Sequence, residues 1–331
     1  MEWESQLKNT TFLVTGSAGF IGFHVARELL KQGATVVGLD NYNDYYSPAL
    51  KRDRDHQLRQ FPNFTSIAGD LTDFPSLEKL FEAHSPPKVC HLAAQAGVRY
   101  SLVNPFAYQK SNLEGFLNLL ELAKRFQVER FVYASSSSVY AGLTEMPFSE
   151  GQRVDTPISL YAATKKANEL MAHAYTRLFG LRTVGLRFFT VYGPWGRPDM
   201  AMWLFTEAML RNRPIKVFNY GRMRRDFTYV DDIVRGVLAS LAVSGLEDYE
   251  IINLGNHHAE DLGTVIALLE KELKVKARQE LLPIQPGDVP ATFADIKRAQ
   301  EKLGFEPETT IAQGIPRFVK WYLNYHGVSR R

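Results

Sequence analysis

Thr11-Phe12-Leu13-Val14-Thr15-Gly16-Ser17-Ala18-Gly19-Phe20-Ile21-Gly22 is the stretch from which the fold can be read. A short apolar run that stops at a glycine reads as a buried strand. From Phe20 to Lys31 the apolar residues return at helical spacing and end before Gly33, which suits a helix C-cap. Gly16, Gly19 and Gly22 therefore lie between a strand and a helix. There they let the backbone turn tightly and approach a pyrophosphate, while the helix N-terminus offers free N–H groups and a favourable dipole. Glycines so spaced also mark ordinary tight turns, and the flanking elements are what favour a dinucleotide. Asp40 strengthens that reading. It closes the next strand, residues 35–39, where a carboxylate can accept from the adenosine ribose hydroxyls and repel a 2′-phosphate. The expected cofactor is NAD rather than NADP.

Outward from this unit, strand-like runs at Phe64–Ala68, 89–93, 130–134 and 181–188 alternate with helical runs at 76–84, within 105–126 and at 160–178. Such alternation predicts an α/β fold, a doubly wound parallel-sheet Rossmann domain. After residue 190 the rhythm loosens. Gly193, Pro194, Gly196 and Pro198 mark a loop. A helix at 200–210, a strand at 215–218, a glycine-arginine segment at 221–225 and helices near 231–240, Leu262–Leu273 and Ile311–Tyr325 follow. The expected division is a Rossmann domain over 1–188 and a smaller mixed α/β substrate domain over 189–331, with a return segment near 226–250.

Composition narrows the function. The 331 residues are 45% hydrophobic and 23% charged, ordinary for a soluble globular protein. A net charge of +3 is too weak to suggest nucleic acid as a partner. No apolar stretch is long enough to span a bilayer, so no membrane association is expected. Met1-Glu2-Trp3-Glu4 lacks a signal-peptide pattern. The single cysteine, Cys90, excludes an intrachain disulfide, lies in an apolar run as core residues do, and fits a reducing, cytoplasmic setting. His257-His258 are adjacent and so point in different directions, and no metal is expected.

The chemistry is read from two further segments. Tyr161 and Lys165 are four residues apart on a helix and share a face. A phenol with its ordinary pKa near 10 is a poor base at neutrality. A neighbouring ammonium and a positive nicotinamide would favour the phenolate, so that Tyr161 takes a proton from a sugar hydroxyl as hydride leaves the same carbon. Ser135-Ser136-Ser137-Ser138 stands at the end of the fifth strand, where a hydroxyl can bond the reacting oxygen and orient it; Ser136, Ser137 and Ser138 are the candidates. Asp70, after the third strand, can meet the adenine amine, or simply cap a loop or helix.

Together the glycine motif, the Tyr161/Lys165 pair and the strand-end serines resemble the extended short-chain dehydrogenase/reductases that modify nucleotide sugars. The resemblance runs over almost the whole chain. It implies that Ala18, Phe20, Ile21, Asn41 and Leu71 contact the cofactor, as do Leu92, Ala93 and Ala94 of the His91–Gly97 segment, with Asn112 close by. It implies that Arg225 meets the nucleotide diphosphate, a task suited to a guanidinium fork. Phe218 would line the uracil pocket, and Gln95, Arg99, Thr190 and Asp288 would line the substrate site. The family commonly pairs its two long helices, here within 105–126 and 160–178, into a homodimer.

Within the family, dehydratases carry an Asp-Glu pair before the Val-Tyr of the fifth-strand motif, and decarboxylases a glutamate at the second place. Ser137 and Ser138 stand at those positions here. Serines serve poorly as the proton acceptor and donor of a dehydration, which leaves epimerisation or simple oxidation. The oxidising UDP-glucose dehydrogenases belong to another family, and the chain offers no candidate cysteine nucleophile. The segments 193–201, 285–289, 95–101 and 43–46 closely resemble UDP-glucuronate 4-epimerases. Thr190 and Gln285 stand where UDP-galactose 4-epimerases carry an asparagine and a second phosphate arginine. The resemblance implies C4 inversion of a UDP-sugar with tightly bound NAD, Tyr161 as acid and base, and Arg197 on the sugar carboxylate. The alternatives are a 4-epimerase of a neutral UDP-sugar, a UDP-glucuronate decarboxylase, and a non-catalytic NAD-binding regulator, against which the retained Tyr161, Lys165 and serines argue.

Overall fold

The computed structural model describes residues 2–328; Met1 and residues 329–331, the outer ends of the two expected domains, lie outside the described residues. The first half runs β1 (Thr11–Thr15), α1 (Phe20–Lys31), β2 (Thr35–Asp40), α2 (Pro48–Leu58), β3 (Phe64–Ala68), α3 (Phe74–His84), β4 (Lys88–His91), α4 (Pro105–Tyr108), α5 (Gly115–Arg125), β5 (Arg130–Ser136), α6 (Leu160–Phe179) and β6 (Thr183–Phe188). There follow β7 (Thr190–Tyr192), α7 (Ala201–Leu210), β8 (Ile215–Val217), β9 (Arg224–Tyr229), α8 (Val230–Ala242), β10 (Tyr249–Leu254), β11 (Ala259–Asp261), α9 (Leu262–Leu273), β12 (Gln279–Leu281), α10 (Lys297–Leu303) and α11 (Ile311–Tyr325).

Seven strands form one sheet in the order β10-β6-β5-β4-β1-β2-β3, every pair parallel. The side-chain period of two sends alternate residues to opposite faces, and both faces are dry. Phe12 and Val14 of β1 join Val36, Cys90, Val132 and Val184 on one side, under Phe23 and Leu29 of α1 and Val237 of α8. Leu13 joins Val37, Val89 and Phe131 on the other, under Leu80 of α3, Phe116 and Leu119 of α5 and Ala172 of α6. This is the doubly wound architecture expected, with Cys90 fully buried in its core and its thiol pushed up by burial.

The remaining strands form two small sheets, β11-β9-β7 and β12-β8. Their apolar residues, among them Val191, Ile215, Val217 and Phe227, continue the first face of the core. Among the described residues no helix is long and apolar enough to cross a membrane.

Three local departures from the sequence reading have physical causes. Helix α2 has no apolar stripe in Pro-Ala-Leu-Lys-Arg-Asp-Arg-Asp-His-Gln-Leu, so periodicity does not reveal it, yet it buries Lys51, Arg54 and Asp55 beside Leu50 and Leu58. The single helix expected within 105–126 is instead α4, a π turn over Gln109–Glu114, and α5. In that turn the Asn112 carbonyl accepts from the Asn168 side-chain amide at 2.6 Å, in competition with a regular ladder, while the Asn112 side chain ties to the Gln95 backbone at 2.8 and 3.0 Å. Strand β4 stops at His91 rather than at residue 93, because Ala93 N–H turns to the Thr15 hydroxyl at 3.2 Å.

Candidate active site

A cleft of about 1340 Å³ opens at the carboxyl ends of the parallel strands, beside β1 where the strand order reverses. In doubly wound sheets this is where ligands bind. Its floor at the cofactor end is the turn between β1 and α1. Gly16 N–H donates to Leu39 O at 2.7 Å, and Gly16 adopts φ +71°. A Cβ there would stand 2.7 Å from the Ala93 amide nitrogen, and one on Gly22 would stand 2.0 Å from Gly16 O. The two glycines therefore let the turn, the helix and the end of β4 close on one another. No side chain caps the N-terminus of α1, and its first turn carries no acidic residue. By contrast Asp73 caps α3 and Ser159 caps α6. The α1 amides are thus left to an anion, and the residues present fit a dinucleotide pyrophosphate.

Asp40 faces this turn with one carboxylate oxygen accepting from Ala18 N–H at 3.1 Å and the other from Tyr42 N–H at 2.9 Å. Burial pushes its carboxyl up, and these two amide bonds oppose the shift. Across the cleft mouth Asn41 donates to Asp70 at 2.7 Å. Burial alone would raise Asp70, but the bonds from Asn41 and Thr72 hold it below the usual carboxylate range.

At the chemical end, Tyr161 and Lys165 both line the cleft from α6, and Ser136, Ser137 and Ser138 line it from the end of β5. Lys165 donates to Ala134 O at 2.7 Å, and burial lowers its ammonium from 10.5 to about 8. The Tyr161 phenol is raised, not lowered. Burial dominates, Ser136 and Arg197 pull the other way, and Asp199 adds to the rise. The expected depression is therefore not a property of the protein's own groups, because a buried phenolate loses more hydration than these neighbours return. Ser135, the first serine of the strand-end run, is instead spent on Glu169 at 2.7 Å, and Glu169 in turn holds Arg187 in a two-pronged pair at 2.8 Å on each arm. That buried network fixes the end of β5 against α6 and β6.

At the substrate end, Arg225 donates to Asp288 at 2.6 Å, and Arg99 reaches the other oxygen of Asp288 at 3.5 Å. The Arg99 guanidinium lies over the Phe218 ring, 4.6 Å from its centroid. Residues far apart in sequence thus converge into one patch of two cations, a carboxylate and an aromatic face. Burial lowers Arg225, and Asp288 offsets part of the shift.

Arg197 also lines the cleft, but it is already engaged. Its Nε donates to Asp199 at 3.0 Å and a terminal nitrogen to the second Asp199 oxygen. Tyr45 OH donates to the same carboxylate at 3.0 Å. Burial would lower Arg197, yet Asp199 holds it above its ordinary value. Burial would likewise raise Asp199, and Arg197 and Tyr45 hold it down. Neither Asp199 nor Tyr45 is picked out by spacing in the sequence. The signal was there in a weak form, since a carboxylate two residues beyond a buried arginine is placed to pair with it.

The cleft brings together all but two of the predicted site residues. Phe20, Ile21, Leu71, Leu92, Ala93, Ala94, Gln95 and Thr190 stand in its wall with those already described. Ala18 and Asn112 are buried just behind it. Asn112 spends its amide on Gln95 and on Thr164 at 3.0 Å, so it shapes the wall rather than forming it. The paired histidines are elsewhere in bonding terms: His257 bonds Ala294 O, and His258 pairs with Glu260.

Comparison with known proteins agrees with this geometry. The family model described as the NAD dependent epimerase/dehydratase family matches residues 12–255. UDP-glucuronate 4-epimerase 4 of Arabidopsis thaliana is 46% identical, over 99% of this chain and 81% of that protein. The crystal structure of a UDP-glucuronic acid 4-epimerase from Bacillus cereus, in complex with UDP-glucuronic acid and NAD, superposes with a TM-score of 0.89 at 34% identity, covering 96% of this chain and all of that one. A UDP-glucose 4-epimerase from Thermotoga maritima superposes with a TM-score of 0.87 at 31% identity, over 96% of this chain and all of that one. With the glycine turn, the Tyr161/Lys165 pair and the sheet all in the matched span, the chain belongs to the NAD dependent epimerase/dehydratase family.

Proposed function

We propose that this protein is a UDP-glucuronate 4-epimerase that interconverts UDP-glucuronate and UDP-galacturonate on tightly bound NAD. It is an NAD-dependent UDP-sugar 4-epimerase, an isomerase; the choice to be made is the sugar. The observation that carries the acid sugar is Arg197, a guanidinium set in the cleft wall near enough to act on the Tyr161 phenol. A neutral sugar has no need of a cation there. Asp199 takes one edge of the fork, and a guanidinium has five donors, so Nη1 keeps donors for a second carboxylate.

Bound NAD supplies the hydride acceptor for C4 and, when reduced, the donor. The chain supplies the rest. Tyr161 takes the proton from the C4 hydroxyl and later returns it, and Ser136, Ser137 and Ser138 hold the reacting oxygen. Lys165 and the α1 amides hold the cofactor, with Asp40, Asn41 and Asp70 at its adenosine end. Arg225 anchors the diphosphate while the 4-keto sugar turns. Arg99, beside Phe218 and Asp288, provides the second cation there, which Gln285 cannot. Arg197 keeps the sugar carboxylate ionised and out of line with the C4 ketone, an alignment in which a β-keto acid loses carbon dioxide.

A second reading has one observation in its favour: Arg197 and Asp199 already form a neutral pair, which an uncharged UDP-glucose would not disturb. Steady-state kinetics with UDP-glucuronate, UDP-glucose and UDP-N-acetylglucosamine separates the two. The acid sugar is expected to have the highest kcat/KM by about 10-fold or more, the scale of one charge-assisted contact. A neutral sugar in first place would overturn the assignment.

The same reading divides the chain at residue 188, with β10 paired to β6 and α8 packed on the first core in support of a return near 226–250. It also makes the protein a homodimer. Phe106, Leu117, Leu170 and Leu178, on α4, α5 and α6, are exposed apolar side chains, Phe106 by 74% and Leu178 by 73%. Helices that pair across a two-fold axis would cover them. Light scattering at micromolar concentration should give twice the chain mass, and a monomer would contradict the proposal.

A further inference from the structure

Arg54, on α2, has no exposed surface at all, and among the described residues no carboxylate pairs with it. Its charge is met by oxygen dipoles of the cofactor turn, of the loop before Arg197 and of the Tyr46 hydroxyl. Nη1 donates to Ala18 O at 2.9 Å and to Tyr46 OH at 2.8 Å. Nη2 donates to Trp195 O at 2.6 Å and Gly196 O at 3.2 Å. Ala18 is the residue whose amide bonds Asp40 in the cofactor turn. Trp195 and Gly196 lead directly into Arg197.

A second contact from the Rossmann half falls on the same loop. His24 of α1 bonds Pro194 O at 2.9 Å. Three successive carbonyls, those of Pro194, Trp195 and Gly196, are therefore held by side chains of α1 and α2. Trp195 adopts φ +60°, a conformation that residues with side chains rarely take unless their surroundings impose it. Its ring is wedged between Phe23 at 5.5 Å, Trp321 at 5.3 Å and Tyr325 at 5.2 Å. The loop is thus set by what surrounds it as well as by its own turn bond, Gly196 N–H to Gly193 O at 3.1 Å.

We propose that Arg54 is a positioning residue that locks the Arg197 loop to the cofactor turn, and so fixes where the sugar end of the substrate binds. The proposal rests on reading Arg197 as a sugar-end contact. A guanidinium suits this post because its planar fork reaches acceptors on both sides at once, whereas an ammonium is a point charge on a flexible stem. Loss of the fork frees two carbonyls on one loop and one on the other. The nucleotide end, built by Arg225, Asp288, Arg99 and Phe218, shares none of these bonds.

The test compares ligands as well as variants. Arg54→Lys and Arg54→Ala are purified with their NAD, and folding is checked by thermal unfolding. Affinity is then measured by calorimetry for UDP and for whichever UDP-sugar the wild-type protein turns over. Arg54→Lys should bind UDP within about twofold of wild type, as expected of a site that shares no partners with Arg54. It should bind the UDP-sugar about tenfold more weakly and lose kcat as well, the effect of displacing one charged hydrogen-bonding group. Arg54→Ala should exaggerate the split, and if it does not fold, Arg54→Lys decides alone. Unchanged UDP-sugar affinity and turnover would overturn the proposal. So would an equal loss for UDP and UDP-sugar, which would mark Arg54 as general scaffolding. Because the wild type chooses the sugar, a wrong sugar assignment changes the ligand used and leaves this comparison intact.

Discussion

Two turns meet at the cleft, and they are held in opposite ways. The turn at Gly16–Gly22 is set by its glycines: Gly19 N–H bonds Gly16 O within it, and missing side chains let it close on the ends of β2 and β4. The turn at Gly193–Arg197 is held from outside, by His24, Arg54 and a wedge of aromatic rings from α1 and α11. A turn built on missing side chains tolerates no added atom, even though Asp40 and Arg54 also bond it at Ala18. A turn clamped from outside fails when a distant clamp is removed.

Substitutions in each half should show that asymmetry. The largest effect is expected for Gly22→Ala, whose added Cβ would meet Gly16 O at 2.0 Å. Overpacking of this kind costs about 1–3 kcal/mol or more, and here it also displaces the amides that face the cofactor. Purified Gly22→Ala should carry little or no NAD, as read from the absorbance of the supernatant after denaturation, and should melt well below wild type. Next is Tyr161→Phe, which keeps the ring and removes the proton-transfer group. Turnover should fall by about 10²-fold or more, with UDP-sugar affinity largely kept. Near-normal turnover would mean that another group moves the proton.

Arg197→Ala probes the second turn at its functional end. Loss of a charge-assisted contact of about 1.5–3 kcal/mol should raise KM for UDP-glucuronate by roughly 10- to 100-fold. The fraction of product appearing as UDP-pentose should also rise, because the carboxylate is no longer held out of line with the ketone. Unchanged KM with no pentose would pass the role to Ser138, Thr190 or Arg99. The smallest effect is expected for Gly263→Ala in α9. An added Cβ there meets nothing within 4 Å, so the substitution should raise stability by up to about 1 kcal/mol with activity unaltered.

The same contrast governs what could be read from the sequence. The first turn is local, so glycine spacing between a strand and a helix points to Gly16, Gly19 and Gly22, the end of the next strand points to Asp40, and the 3.6-residue period puts Tyr161 and Lys165 on one face. Helix α2 escaped because its buried face is made of Lys51, Arg54 and Asp55, and hydrophobic periodicity cannot see charges that are buried by pairing with backbone and side-chain oxygens. Asn112 was placed near the cofactor by resemblance, but its bonds to Gln95 and the π turn around it need the folded chain to be seen. The Arg197–Asp199–Tyr45 cluster is of the same kind, since Tyr45 comes from a segment 154 residues away. How far burial alone raises the Tyr161 phenol is of the same kind, since the sequence shows a lysine four residues on but not the depth at which the ring lies.

The account stands or falls on one NMR time course. Purified protein is mixed with UDP-glucuronate, with no NAD added, and the anomeric signals are followed to a steady ratio. The expected result is conversion to UDP-galacturonate alone, on the NAD the protein carries from purification, with no UDP-pentose. No conversion while UDP-glucose is epimerised under the same conditions, or accumulation of a pentose in place of galacturonate, would contradict it.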